Sequence, residues 1–286
     1  MMYSAQIANR LGNVLELTGH ETEYQVVGIR GLNPPQAQIN VSTIVGLDGA
    51  KFNSSKLNTR EIVITLRING NVEKNRNMIY AYVPTKEPCT FYYQNDTVDV
   101  YIEGYVHSVE VDLFSMSELM QISILCPQPY FKSVDEIIDD ISKVTPLFTF
   151  PFSIDIGDPI VISSLDASAI TNVVNISGTT GLIIEADFTD DASSLKIQNT
   201  DTGEYILLSY AFESGDIVTI NTNKGQKGVS LLRDGVTSNL FTSVQNGSTF
   251  FQLNTGDNMF TYLVDGGEND QAVNILFKHY TIYRGV

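Results

Sequence analysis

Residues 122–131 read Ile-Ser-Ile-Leu-Cys-Pro-Gln-Pro-Tyr-Phe, and the chain changes character immediately after them. An alternating apolar run, the pattern of a half-buried strand, ends in two prolines and two aromatics. Proline has no amide hydrogen to give to a sheet ladder, so Pro127 and Pro129 terminate the strand. The next residues, Ser133-Val-Asp-Glu-Ile-Ile-Asp-Asp-Ile, open with a Ser133/Glu136 capping box. They space Val134, Ile137, Ile138 and Ile141 at i, i+3, i+4 and i+7, which predicts a short connector helix with one apolar stripe. A helix with such a stripe packs against something and is not a flexible tether. The segment thus divides the chain into a first β-domain (1–133), a connector helix and linker (134–150) and a second β-domain (151–286). Cys126, Pro127, Pro129, Tyr130 and Phe131 before the division, with Ile137, Ile138 and Ile141 after it, are the residues expected to form a packed joint. Tyr130 and Phe131 are expected to seat the helix against the first domain.

Working outward, the first half reads mostly as strands. Arg60–Ile68 alternates clearly, with Ile62, Ile64 and Leu66 on one face and Glu61, Val63, Thr65 and Arg67 on the other. Ala37–Val45 alternates with Ile39 and Val41 on one face, and an Asp48-Gly49 turn signal follows. Asn71–Val83 is the one helix-like stretch of this half, with Asn71 as N-cap and Pro84 and Pro88 beyond its end. Phe91–Tyr93, Val98–Glu103, Tyr105–Phe114 and Leu119–Cys126 follow as strands at hairpin spacing. The second half is strand and turn throughout: Ile160–Ser163, Thr171–Ile176, Leu182–Phe188, Leu195–Gln198, Tyr205–Tyr210, Ile217–Asn221, Val229–Arg233, Thr249–Leu253, Met259–Val264 and Ala272–Tyr283 are separated by Thr-Gly, Ser-Gly-Asp and Asp-Gly turns. Many short strands at this spacing predict a β-sandwich or jelly roll.

Bulk properties narrow the function classes. The formal net charge of −16 is divided unevenly, −3 over residues 1–133 and −13 over 134–286. A nucleic-acid binder shows a basic patch instead, and a surface of this sign repels DNA and anionic membranes. Two cysteines, Cys89 and Cys126, are too few for a disulfide framework and are expected as free buried thiols in a reducing compartment. No signal peptide or membrane span is expected. His20, His107 and His279 lie far apart without zinc-ligand spacing and read as surface or interface residues. Asp187, Asp190 and Asp191, and Asp265, Glu268 and Asp270, are acidic clusters without EF-hand spacing and read as solvated turns. The chain carries no nucleophile elbow and no phosphate-binding loop, so neither an enzyme nor a cofactor or metal is expected. What remains is much β-surface and no catalytic site, the profile of a structural or assembly component.

Several ordered motifs resemble one family. Gly12-Asn-Val-Leu-Glu-Leu-Thr, Tyr24-Gln-Val-Val-Gly-Ile-Arg-Gly-Leu-Asn-Pro-Pro-Gln-Ala-Gln-Ile, Asp48-Gly-Ala-Lys-Phe, Arg60-Glu-Ile-Val-Ile and Ile124-Leu-Cys-Pro-Gln-Pro-Tyr-Phe are similar to the distal tail protein family of tailed bacteriophages. So are Asn199-Thr-Asp-Thr-Gly-Glu-Tyr, Leu253-Asn-Thr-Gly-Asp-Asn and the closing Tyr283-Arg-Gly. The resemblance implies a mostly β fold: an N-terminal barrel- or sandwich-like ring domain with one helix, and a galectin-like C-terminal β-sandwich. It implies a homo-hexameric baseplate hub at the virion tail tip, assembled in the bacterial cytoplasm. The implied partners are the tail tube protein, a tail-associated lysin or fibre protein, and receptor-binding baseplate proteins. DNA transits such a ring without specific binding, and no membrane is involved. The alternative expectation is a carbohydrate-binding tail module using the second sandwich; the absence of tryptophan among 14 Tyr and 14 Phe weighs against it.

Overall fold

The computed structural model describes residues 3–19, 23–46, 48–112, 118–140, 144–146, 163–165, 171–265 and 273–286. The chain divides into two compact units: Met1–Val134 with Ile282–Val286, and Asp135–Thr281. The last five residues, which the sequence reading places in the second domain, fold with the first unit. The chain therefore leaves unit 1, builds unit 2 and returns.

Unit 1 contains β1 (Ser4–Asn9), β2 (Val14–Glu16), β3 (Tyr24–Arg30), β4 (Ala37–Thr43), β5 (Ala50–Leu57), β6 (Arg60–Ile68), α1 (Val72–Tyr82), β7 (Pro88–Gln94), β8 (Asp99–Val111), β9 (Leu119–Cys126) and β10 (Phe131–Ser133). Its main sheet runs β2-β1-β7-β8-β9-β6-β3. Alternation decides which face is buried: in β6, Ile62, Ile64 and Leu66 go into the core while Glu61 and Arg67 stay outside. Opposite them on the same face come Ile122 and Ile124 of β9, Val100 and Ile102 of β8 and Phe91 of β7. Helix α1 covers part of this core with Ile79, and its cap is the expected one: Asn71 Oδ1 accepts the Lys74 amide at 3.1 Å.

The proline segment is an excursion in one strand lane. β9 pairs with β8 up to Leu125↔Tyr105, and β10 resumes along the same strand at Lys132↔Tyr101. Between them the chain must bulge, because six residues (126–131) on one side oppose three (102–104) on the other, and Pro127 and Pro129 supply two positions that need no ladder partner. Along the other side of this lane β6 ends at Arg60↔Cys126, and a returning strand takes its place: β10 pairs antiparallel with Ile282–Tyr283, the last strand of the chain, at Phe131↔Tyr283.

Unit 2 contains β11 (Ile137–Asp140), β12 (Val144–Pro146), β13 (Ser163–Leu165), β14 (Thr171–Asn175), β15 (Ile183–Phe188), β16 (Ala192–Asn199), β17 (Tyr205–Phe212), β18 (Ile217–Asn221), β19 (Gly228–Arg233), β20 (Val236–Asn239), β21 (Gly256–Asp265) and β22 (Val273–His279); Ile282–Tyr283 is β23. Two antiparallel sheets, β11-β22-β15-β18-β19-β20 and β14-β21-β16-β17, enclose one core. Ile184, Val218, Ile220, Ile275 and Phe277 from the first face Leu195, Ile197, Ile206, Phe260 and Tyr262 from the second. That is the β-sandwich expected from the strand and turn spacing.

Among the described residues of the connector no helix is formed. Residues 137–140 are β11, paired with β22 from Ile137↔His279 to Asp140↔Leu276. A two-turn helix is marginal by itself. The open edge of β22 offers a full ladder to the same residues, and β-branched isoleucine suits a strand. Ile137 and Asp139 then face one way, and Ile138 and Asp140 the other, exposed. Thr249–Leu253 also differs from expectation: Phe251 and Leu253 are buried, but the segment forms no strand, bonding the Tyr205 carbonyl through the Thr249 amide at 2.7 Å and making an isolated bridge from Leu253 to Thr180.

Candidate assembly surfaces

The joint residues fall in different places. Cys126 and Phe131 are buried in the core of unit 1, and Pro129 is buried beside them. Tyr130 is half-buried and Pro127 exposed. Ile137 and Ile138 belong to β11 of unit 2, and Ile141 lies outside the described residues. The site that sequence reasoning missed is what the first group surrounds. Arg60, at the start of β6, is only 3% exposed and pairs with no carboxylate among the described residues. Its guanidinium instead donates to four main-chain carbonyls: Nε to Pro129 (2.8 Å), Nη1 to Gly31 and to Asn33 (2.7 Å), and Nη2 to Arg284 (2.5 Å). The Phe131 ring lies 4.6 Å beneath the cation. Burial pushes the guanidinium pKa down from its ordinary value, but an arginine starts so high that the charge persists. One side chain thus ties together three chain segments: 31–33, 129 and 284.

The second feature is the hairpin β4–β5, which leaves the sheet between β3 and β6. Nearly every residue of it is exposed. Its register puts Val41 opposite Phe52 and Ile39 opposite Ser55, on one face with Ala37 and Leu57; Gln38, Asn40, Lys51, Ser54 and Lys56 occupy the other. Ile39, Val41 and Phe52 are each more than half exposed. A lone two-stranded hairpin is marginal in water, so an amphipathic one with a bare apolar face is built to be covered.

Other chemistry-bearing residues are occupied structurally. Among the described residues no group of His, Cys, Asp and Glu could hold a metal ion. Asp191 Oδ1 caps the Ser214 amide at 3.1 Å, and Asp190 Oδ1 accepts from the Asp191 amide at 2.9 Å; Glu268 and Asp270 lie outside the described residues. His107 is exposed and His20 undescribed, but His279 is not a surface residue: it is 2% exposed at the core end of β22, with Nε2 3.2 Å from Asp139 Oδ2. Cys89 and Cys126 are free and buried, and burial raises both thiols to about 12. Among the described residues no helix is long and apolar enough to cross a membrane.

Comparison with known proteins follows both units. Residues 18–126 match the family model of the phage tail protein RIFT-related domain. Residues 177–279 match that of the siphovirus-type tail component, C-terminal domain. No curated protein matches the chain in sequence. Among solved structures, the Dit protein of phage SPP1, a paradigm of hub adsorption apparatus in Gram-positive infecting phages, superposes with a TM-score of 0.71 at 13% identity. That likeness covers 99% of this chain and 100% of that one. A chain of the phage P2 baseplate in its activated conformation with calcium gives a TM-score of 0.58 at 14% identity, covering 100% of both chains. The strontium form of that baseplate gives 0.56 at 13%, again with 100% of both chains covered. With a family model on each unit and the whole two-unit fold shared, the chain belongs to the distal tail protein family, structural components of siphovirus-type phage tails.

Proposed function

We propose that this protein is a non-enzymatic baseplate hub: six copies close a ring through unit 1, coaxial with the tail tube, at the tail tip. The ring joins the last tube ring to a tail-associated lysin or fibre and to receptor-binding components, and DNA passes through it at ejection. The observation that carries this reading is the β4–β5 arm. A closed ring needs a donor surface and a different acceptor surface on every subunit, and an exposed hairpin with Ile39, Val41 and Phe52 on one face is a donor. The charge division supports it, since a near-neutral first half can crowd into a ring without self-repulsion while the acidic half stays in solvent. In this reading Cys126–Phe131 marks where the ring domain ends, and Ile137 and Ile138 begin the outer domain. The carbohydrate-binding alternative is less favoured because unit 2 sinks Phe188, Phe212, Phe251, Phe260, Phe277 and Tyr262 into its core.

Light scattering and negative-stain microscopy of the full chain test the proposal, alone and with its tube and fibre partners. Rings are expected from the parent protein. The variant Ile39→Ser/Val41→Ser/Phe52→Ser should lose them while its unfolding temperature stays within about 2 °C of the parent, because exposed positions contribute little to the folded monomer. A parent chain that stays monomeric at high concentration with all partners present, or a triple variant that still forms rings, overturns the reading.

A further inference from the structure

The arm is attached to unit 1 by a root, residues 31–36, and that root is gripped from an unexpected side. Its backbone makes a forced turn: Gly31 has φ +90°, and a Cβ there would stand 2.1 Å from the Glu61 carbonyl oxygen. The carbonyls of Gly31, Leu32 and Asn33 are then all occupied. Arg60 takes the first and third, and the Val286 amide donates to the second at 3.0 Å. Gly285 lies so close over the root that an added Cβ would meet Pro34 Cδ at 2.7 Å and Pro34 N at 2.8 Å. Residues 282–286 thus form a strap across the root of the arm. The strap is itself anchored by β23 to β10, and by its Arg284 carbonyl to the same Arg60 that holds Pro129.

We propose that Arg60 and the strap Ile282–Val286 form a latch that sets the direction of the β4–β5 arm. Arg60 is its positioning residue. The two strands by which the chain leaves and re-enters unit 1 both end on this latch, one through Pro129 O and the other through Arg284 O. A displacement of either strand therefore reaches the arm root through Arg60, and one of the strap also directly through the Val286 amide and Gly285. Rigid attachment matters because a docking element held in its bound direction loses less entropy on association than one that swings. That arm order controls assembly rests on the ring reading above; the latch itself does not, and it is measured on dispersed protein.

The test places a nitroxide or fluorophore at the arm tip through Val45→Cys in the full chain. Val45 is fully exposed, whereas both native thiols are buried and protonated. Arm motion is read by spin-label line shape or anisotropy decay, and strap opening by amide exchange of residues 282–286. Arg60→Met should free the arm tip on the nanosecond scale and speed strap exchange by about tenfold, the effect of losing a hydrogen-bonded charge contact, while β7 and β8 amides change less than about twofold. Arg60→Lys should fall between, keeping the charge but not the planar fork. Gly285→Val touches the strap without altering Arg60 and should also free the arm, which keeps the test open should Arg60→Met unfold. The latch is overturned if Gly285→Val loosens the strap and leaves the arm as rigid as in the parent, or if Arg60→Lys and Arg60→Met speed exchange equally throughout unit 1. Wild-type protein that forms no rings but shows coupled arm and strap motion would remove the ring reading and leave the latch standing.

Discussion

Replacing Phe131 reports on the proline segment more sharply than any other change. Its ring is fully buried in the core of unit 1 and carries the Arg60 guanidinium on its face. Truncating a buried phenylalanine to alanine costs about 3–5 kcal/mol in lost transfer energy and cavity. Removing the aromatic face from beneath a desolvated cation costs up to about 2 kcal/mol more. The sum, about 3–7 kcal/mol, takes much or all of the stability of an ordinary domain, so Phe131→Ala should leave unit 1 strongly destabilised or unfolded. Phe131→Leu keeps most of the apolar volume and loses the π face, at about 2–3 kcal/mol, which lowers the unfolding temperature by roughly 8–12 °C for a unit of this size. The chain has no tryptophan, so equilibrium unfolding is followed by tyrosine emission. Amide exchange of β6 and β18 peptides in rising urea separates the units. The expected result is early opening of β6 with β18 unmoved. A Phe131→Leu cost below about 0.5 kcal/mol, or an equal loss in β18, would refute the assignment of Phe131 to the core of unit 1 and to the support of Arg60.

Two titrations follow from the same structure. Cys89 and Cys126 keep their protons to about pH 12 in the folded state, whereas unfolded thiols lose them near 8.5. The native state thus holds more protons over that window: stability is intact below it and falls by about 1.4 kcal/mol per pH unit per thiol as pH rises through it. Ellman's reagent at pH 8 should find no reactive thiol until the protein unfolds and two afterwards, and Cys126→Ala should flatten the alkaline limb; an unchanged slope would exclude the buried thiols as its cause. In unit 2, the Arg233 side chain bonds Asp216 through Nε (2.7 Å) and Nη2 (2.5 Å) and holds that carboxyl below its ordinary value, against burial and with help from the Glu213 amide. This contribution is present above the ordinary carboxylate pKa and is lost as pH falls through the lowered one. Asp216→Asn should lower the unfolding temperature of unit 2 at pH 7, with the deficit shrinking toward pH 3; a deficit constant over that range would sink the attribution.

The strands that build the two cores are the ones that alternation made legible. Arg60–Ile68, Leu119–Cys126 and Ile217–Asn221 are found with the expected bounds. Where one face is buried, a slip of a single residue would expose every apolar side chain, so pattern and register are the same information. Legibility fails in exposed strands that lack an apolar alternation; β4, equally exposed, is legible from Ile39 and Val41. β5 (Ala-Lys-Phe-Asn-Ser-Ser-Lys-Leu) and β20 (Val-Thr-Ser-Asn) are polar and exposed, so nothing in them marks a strand. The single strand β8 reads as two because Gly104 interrupts it, yet this glycine is a packing requirement: a Cβ would stand 2.6 Å from Ile124 Cγ2 and 2.9 Å from Cys126 Sγ.

The connector and Arg60 failed to show for a deeper reason. Val134, Ile137, Ile138 and Ile141 satisfy a helical stripe, but a four-residue strand needs no pattern at all when a neighbouring edge supplies the ladder, and that edge belongs to β22, more than 130 residues away. Arg60 is harder still. Its hydrogen-bond and ring partners among the described residues are main-chain carbonyls and one ring, drawn from residues 31, 33, 129, 131 and 284. Side-chain motifs advertise carboxylates, thiols and imidazoles; a cation held by carbonyls has no partner whose identity the sequence records. What the sequence does hold is the means of presenting those carbonyls: a glycine that turns at 31, prolines at 127 and 129 that leave the ladder, and a glycine at 285 that lets the strap close down. Pro127 and Pro129 therefore do more than stop a strand. By lifting the chain off β8 between β9 and β10 they turn the Pro129 carbonyl toward Arg60, and the segment that divides the two units is the same one that ties the arm root to both of the strands leading to unit 2.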